Sequence, residues 1–413
     1  MTSAGSPARK TAWLFLVGFA CACLLFWWLP SILFRVLGLD DPVHGWALCV
    51  SLLALAFFAA GYALPPLRFK TPFTQQLIDT CETIAYQATL WIAFPALFLA
   101  LQFFLSRFRV SYGEGENIPF LYQAVFYCHM FFAFLFLGAA RTIPQDRRRI
   151  ILVSVFVIAP RLIVSLCWGR FFLVQAVAPI LFIGLARGWI TLSAKRFLQL
   201  SALAIFIIFV PALTRGDNFL GQDELIAFFQ GGSSLSLFQD NRDLNLKGRC
   251  PPLAVSMTAK LIPYDLLGIC TMEYKGRKSM PATLDRILTE NEPSTQYTLT
   301  GTGANYLLEL YLTGGTGAVF LGSALFGFTN RCCIQWISER SLFAGIWAES
   351  LSRALFAPRG TLGYVYERVP SLLLATLITI GLAWALHTVG QGSRRSDEKS
   401  PTRSPSLLAD GES

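Results

Sequence analysis

Charged side chains inside long apolar runs are costly to keep, and this sequence keeps several of them. Arg161 lies in the apolar run 150–168, about seven residues or roughly 10 Å from its far end. Arg170 follows a Trp168-Gly169 turn at the head of the next run, 171–186. Two guanidiniums at the mouth of one hairpin suit a pyrophosphate, because the planar fork grips two oxygens at once. The alternative is that Arg170 merely snorkels toward lipid headgroups. Arg215, in Thr214-Arg215-Gly216-Asp217, and Arg359, in Pro358-Arg359-Gly360, follow later runs. Either could join Arg170 in a basic cluster or serve as an anchor.

Glu309 stands within two turns of the start of the run 305–328, close in sequence to Tyr311. A carboxylate there suits a general base for a hydroxyl, or an acceptor that orients one. Gly314, Ala318 and Gly322 recur every four residues in the same run, a spacing that fits close helix packing. Glu349 and Arg353 are four apart, so they share a helix face and are expected to form a structural ion pair. The three His (His44, His129, His387) all lie outside the long polar segment 214–304, which removes the commonest general base from it. Asp40-Asp41 reads as an exposed acidic turn in preference to a metal site.

The elements that must carry these residues follow from composition. The chain has 413 residues, 54% hydrophobic and 14% charged, where an ordinary soluble chain has about 25% charged. With 35 Phe and 10 Trp it has far too much to bury for a disordered chain. The net charge of +9 does not point to nucleic acid, since the basic residues sit in short clusters between apolar runs. The expected fold is an all-α polytopic integral membrane protein with about ten transmembrane helices and one large extracytoplasmic loop. The spans are read at 11–34, 43–64, 84–105, 119–140, 150–168, 171–186, 197–213, 305–328, 341–357 and 369–389. The first is too long for a signal-peptide core and is expected to remain as an anchor.

Four regions result: a bundle of seven spans (1–213), the large loop with short interfacial helices (214–304), three further spans (305–390), and a disordered tail (391–413). With the N-terminus in the cytoplasm, seventeen Lys and Arg fall on the cytoplasmic side and six in the short outer loops. That imbalance places both termini inside and the large loop outside. Apolar stretches at 225–229 and 251–267 are the expected loop helices. Cys250 and Cys270 alone lie in that polar segment, and could form a disulfide in an oxidising compartment. No GxxxxGK[ST] motif occurs, which argues against an ATP-driven pump.

The layout resembles the Wzy-type polysaccharide repeat-unit polymerases of bacteria. Trp168-Gly169-Arg170-Phe171-Phe172-Leu173 is similar to the Gly-x-Arg-like start of that family's span before the loop. Asn305, Glu309, Tyr311, Gly314 and Gly317 are similar to its Glu-x-Tyr and glycine-rich span after the loop. The resemblance implies a glycosyltransferase of the bacterial inner membrane, acting on its periplasmic side without a metal or other cofactor. It would move a growing glycan from undecaprenyl diphosphate to the next lipid-linked repeat unit. The implied partners are that lipid-linked oligosaccharide, membrane lipid and a chain-length regulator, and not nucleic acid. Carried over, Arg170 would stabilise the departing diphosphate, and Glu309 would orient or deprotonate the acceptor hydroxyl with Tyr311 nearby. Arg161, Arg215 and Arg359 would assist diphosphate binding by position alone. The turn reads Cys-Trp-Gly-Arg, without the small hydroxyl residue often found beside that Arg. The alternatives are an O-antigen ligase, which uses a His in its outer loop that is missing here, another polyprenyl-linked glycosyltransferase, and a flippase. Paired halves, common in transporters, are not apparent.

Overall fold

In the computed structural model, the described residues are 6–36, 43, 45–68, 73–107, 120–141, 146–167, 171–191, 235, 238–239, 250–258, 270–274, 277–281, 283–284, 287 and 305–398. They are almost entirely helical, as lipid requires of backbone that must satisfy its own hydrogen bonds. In chain order the helices are α1 (Pro7–Cys23), a π-helical stretch (Leu24–Trp28), α2 (Leu29–Val36), α3 (Gly45–Ala63), α4 (Gln75–Arg107), α5 (Phe120–Ala139), α6 (Arg147–Cys167) and α7 (Phe171–Ala186). The long segment contributes α8 (Pro252–Thr258) and an antiparallel pair, β1 (Thr271–Tyr274) with β2 (Arg277–Pro281). Then follow α9 (Tyr306–Ser338), α10 (Ala344–Ala354), a 3-10 turn (Ala357–Arg359), α11 (Leu362–Tyr366) and α12 (Val369–Glu398).

Among the described residues seven helices are long and apolar enough to cross a membrane. Their outer faces carry large apolar side chains that water would not tolerate, such as Trp91 and Leu105, both 78% exposed. The chain is thus a helical membrane protein. The ten-span reading needs correction in one place and stands open in another. The stretch 341–357 is not one membrane-length helix. It holds α10, whose eleven residues rise only about 16 Å, and the 3-10 turn after it. Every residue of α10 except Trp347 is buried, so the irregular backbone beyond it is sheltered by protein, as lipid demands. Helix α7 has 16 residues, short for a crossing, and the expected span 197–213 lies outside the described residues. At the other end of the chain, α12 runs on to Glu398, past the expected start of a tail at 391.

The long segment holds the Cys250–Cys270 disulfide, with Cα atoms 5.3 Å apart. Helix α8 falls within the stretch expected to be helical at 251–267, the strand pair was not anticipated, and 225–229 lies outside the described residues. Leu235 and Phe238 from this segment are fully buried in the main core.

One end of the bundle is closed by arginines. Arg187, just after α7, donates to the carbonyls of Leu137, Gly138 and Ala140 at the end of α5 and of Ile337 and Glu339 at the end of α9. Those carbonyls have no partner within their own helices. Burial, reinforced by the nearby charge of Arg340, lowers the Arg187 pKa to about 10, so it remains a cation at neutral pH. Arg340 donates to the Ala139 carbonyl and pairs with Asp79 and Glu82 at 2.7 Å each, tying α4 to the α9–α10 turn.

The most extensive helix contact joins α3 to α9. A Cβ on Gly61 would stand 1.9 Å from the Ala324 carbonyl oxygen, and one on Gly327 2.0 Å from that of Phe58. Only glycine allows this approach, whereas Gly317 faces open space. Gly61→Ala and Gly327→Ala are therefore expected to lower the thermal unfolding temperature of purified protein, each costing about 1–3 kcal/mol. Gly317→Ala should leave it unchanged or raise it, and equal losses at all three positions would refute this account of the α3–α9 contact.

Candidate functional site

The site is built at the opposite end, where α9 begins directly after the long polar segment. Asn305 caps α9, its side-chain oxygen accepting from the Leu308 amide at 2.8 Å. That fixes the first turn and buries Glu309 completely. One oxygen of Glu309 accepts from the Gly363 amide of α11 at 3.2 Å. Two glycines then break the helix: Gly314 is extended, and Gly315 has φ +69°, which glycine alone adopts without strain. The regular glycine spacing thus serves two purposes. Gly314 belongs to the break, while Gly322 makes room for Leu310 folded back across it.

Tyr311 does not accompany Glu309. Two residues along a helix turn about 200°, so Glu309 faces α11 while Tyr311 faces α3 and the long segment. Its ring packs against Trp46 (centroids 5.7 Å apart) and Phe238 (5.6 Å). A catalytic partnership between the two side chains is not what the geometry provides; Tyr311 instead helps hold the loop segment to the bundle.

Beside α11 lies a buried network of charges. Glu349 and Arg353 pair at 3.1 Å within α10, as their spacing predicts. The same Glu349 oxygen meets Arg368 at 3.1 Å, and Arg353 meets Glu367 at 3.1 Å and donates to the Tyr364 carbonyl at 2.9 Å. Arg368 donates to the Tyr127 hydroxyl of α5 at 2.6 Å and lies 4.1 Å from the centre of its ring. Arg161 is 2% exposed and has Arg368, Glu349 and Tyr127 as electrostatic neighbours. It donates to the Val157 carbonyl at 3.1 Å and to that of Phe126. Three guanidiniums and two carboxylates thus carry one net positive charge. Arg161 was expected at an open mouth; here it is a buried cation with two donors already engaged, because α5 packs against it.

The π-helical stretch adds two indoles to this end. Trp27 donates to the Pro358 carbonyl at 2.8 Å, and Trp28 to the Ser51 hydroxyl at 3.0 Å. Arg359 lies in the 3-10 turn beside Pro358. Arg170 and Arg215 lie outside the described residues. Glu367, Arg368 and Tyr127 were missed in the sequence, although Glu367-Arg368 stands directly before an apolar run, where a charged pair is a usable signal. Among the described residues no group of three or more His, Cys, Asp or Glu side chains comes together as a metal site would need.

The arrangement sets a desolvated carboxylate beside a buried network of guanidiniums, joined to it through α11. Comparison of the chain with protein-family models, curated proteins and solved structures finds no match.

Removing one member of a buried ion network leaves its partners as uncompensated charges. Glu349→Leu is expected to destabilise the protein by about 3–5 kcal/mol, since Arg353 and Arg368 then lose their shared counter-charge. The double variant Glu349→Leu/Arg353→Met should cost less than the sum of the two single variants. Thermal unfolding of all three supplies the cycle, and strict additivity would show that the pair is not coupled.

Proposed function

We propose that this chain is a polysaccharide repeat-unit polymerase of the bacterial inner membrane. It transfers a growing glycan from undecaprenyl diphosphate to the next lipid-linked repeat unit on the periplasmic side. The observation that carries the reading is a convergence at one end of a helical membrane bundle. There the buried carboxylate of Glu309 and a net-positive guanidinium network meet through α11. The disulfide in the long segment fits an oxidising compartment. The arginines crowding the other end, Arg141, Arg147, Arg148 and Arg149 among them, fit a cytoplasmic face with both termini inside.

On this reading the acceptor hydroxyl attacks the anomeric carbon of the donor glycan. Its proton passes to the Glu309 carboxylate as the new C–O bond forms. The old bond between that carbon and the diphosphate oxygen breaks, and the electron pair leaves with undecaprenyl diphosphate. Arginine stabilises the charge that develops there, a role assigned to Arg170 by resemblance. Arg353 and Arg368 act as positioning residues: their carboxylate pairs fix α10, α11 and α12, and so bring the Gly363 amide to Glu309.

The test is the length distribution of surface glycan in cells lacking this chain, together with the lipid-linked pool. Glycans of a single repeat unit are expected. Single units trapped on the cytoplasmic side would indicate a flippase instead, and full-length polymer held on its carrier a ligase. In cells restored with Glu309→Gln, polymer formation should fall by about 10²–10⁴-fold at unchanged protein level. Arg170→Lys should abolish it, and normal chain lengths in both variants would overturn the assignment.

A further inference from the structure

The second polar concentration lies at the basic end of the bundle, and the proposed reaction makes no use of it. A cavity of about 480 Å³ opens there, lined by Arg68, Arg187, Trp189, Gln335, Ser338 and Arg340. That volume is in the range of sites that hold small ligands. Among the described residues its lining has three arginines and no acidic side chain.

The arginines differ in what answers their charge. Arg340 is matched by Asp79 and Glu82. Arg187 is matched by no carboxylate within ion-pair distance among the described residues. Five backbone oxygens satisfy its N–H groups but bring no net negative charge. A half-buried cation left in that state attracts an anion, because the protein around it screens its charge less than water would.

Two further donors are free to serve such an anion. Arg68 is exposed, and the residue before it is held in place. Trp336 donates to the Leu67 carbonyl at 2.8 Å, and the Leu67 amide donates to the Cys332 sulfur at 3.3 Å. Trp189 has a solvent-shielded indole N–H with no hydrogen-bond partner among the described residues. Its ring lies under Arg187, 5.2 Å from centroid to guanidinium carbon. The first turn of α1 also borders the cavity, with Pro7 and Ala8 on its wall and no side chain capping its amides. A helix start of that kind favours negative charge.

We propose that this cavity binds a phosphate-bearing anion, held by Arg68 and the Trp189 indole over the half-buried charge of Arg187. Two sources share that chemistry: the headgroup of an anionic phospholipid, and a phosphate or phosphorylated metabolite from solution. The inference does not depend on the reaction proposed above.

Native mass spectrometry of the full chain in detergent tests it, with phosphatidylglycerol, phosphatidylcholine and inorganic phosphate titrated separately. Two variants accompany the wild type. Arg68→Gln removes an exposed charge, and Trp189→Phe removes the N–H while keeping a ring under Arg187. Phosphatidylglycerol should be retained about ten-fold better than phosphatidylcholine, and each variant should weaken that retention about five-fold or more. Their unfolding temperatures in lipid-free detergent should match the wild type. If inorganic phosphate binds with the same sensitivity to the variants and displaces the lipid, the anion comes from solution and the site stands. Equal retention of both lipids with no response to phosphate would overturn the proposal. So would binding that neither variant alters.

Discussion

A guanidinium shut away from water must find its counter-charge inside the protein, and Arg353 is 1% exposed. It finds two, Glu349 on its own helix and Glu367 beyond α11. Because Glu349 also holds Arg368, the chain from α10 to α12 is tied into a closed loop of charges. The consequences extend outward from that loop. Within it, Thr361 caps α11, and the Gly363 amide is carried to Glu309. The 3-10 turn brings the Pro358 carbonyl to Trp27, and Arg368 reaches Tyr127 on α5. Removing one member strands the others, a heavier loss than the modest net contribution of the intact pairs to stability.

The two ends of the bundle solve the same problem in different ways. At the end where α9 begins, two of three buried guanidiniums are answered by carboxylates, and the network keeps one net positive charge. At the other end Arg187 is surrounded by carbonyls that carry partial charge only. Its five acceptors come from the ends of α5 and α9, so one side chain links two helix termini whose last carbonyls lack partners within the helix. Arg340 continues the linkage to α4 through Asp79 and Glu82. The first end keeps a desolvated acid beside its cations, while the second keeps an excess of positive charge beside a cavity.

The class of the fold was legible because lipid imposes one strong rule, that apolar runs of sufficient length become helices. The pairing of Glu349 with Arg353 was legible for a related reason, since i,i+4 spacing and burial leave few other partners. What failed were inferences about direction and continuity. Hydropathy alone cannot tell that α10 stops after Ala354, because a short buried helix and its sheltered turn are as apolar as a span. It cannot tell that Glu309 and Tyr311 face opposite ways, although the helical period would have done so. The Arg187 carbonyl cluster leaves no trace in sequence, because its acceptors are backbone atoms from positions about 50 and 150 residues away. The π-helical stretch that aims Trp27 and Trp28 is equally silent, since it arises from one local register change.

These linkages bear on whether the bundle works by moving or by holding still. A carrier that alternates between two openings must release contacts first at one end and then at the other. Here one end is locked by carboxylate–guanidinium pairs joining α10 to the segment before α12, and by the bond from Arg368 to Tyr127 of α5. The other is locked by Arg187 and Arg340 across α4, α5 and α9. Opening the first end would strand buried charges, a cost of several kcal/mol that a passenger would have to offset on every cycle. The break at Gly314–Gly315 is a softer place. It separates the turn carrying Glu309 from the rod packed on α3, and a Cβ at Gly315 would meet nothing within 4 Å. For the reaction proposed above, that break leaves the turn bearing the buried acid jointed separately from the rest of α9.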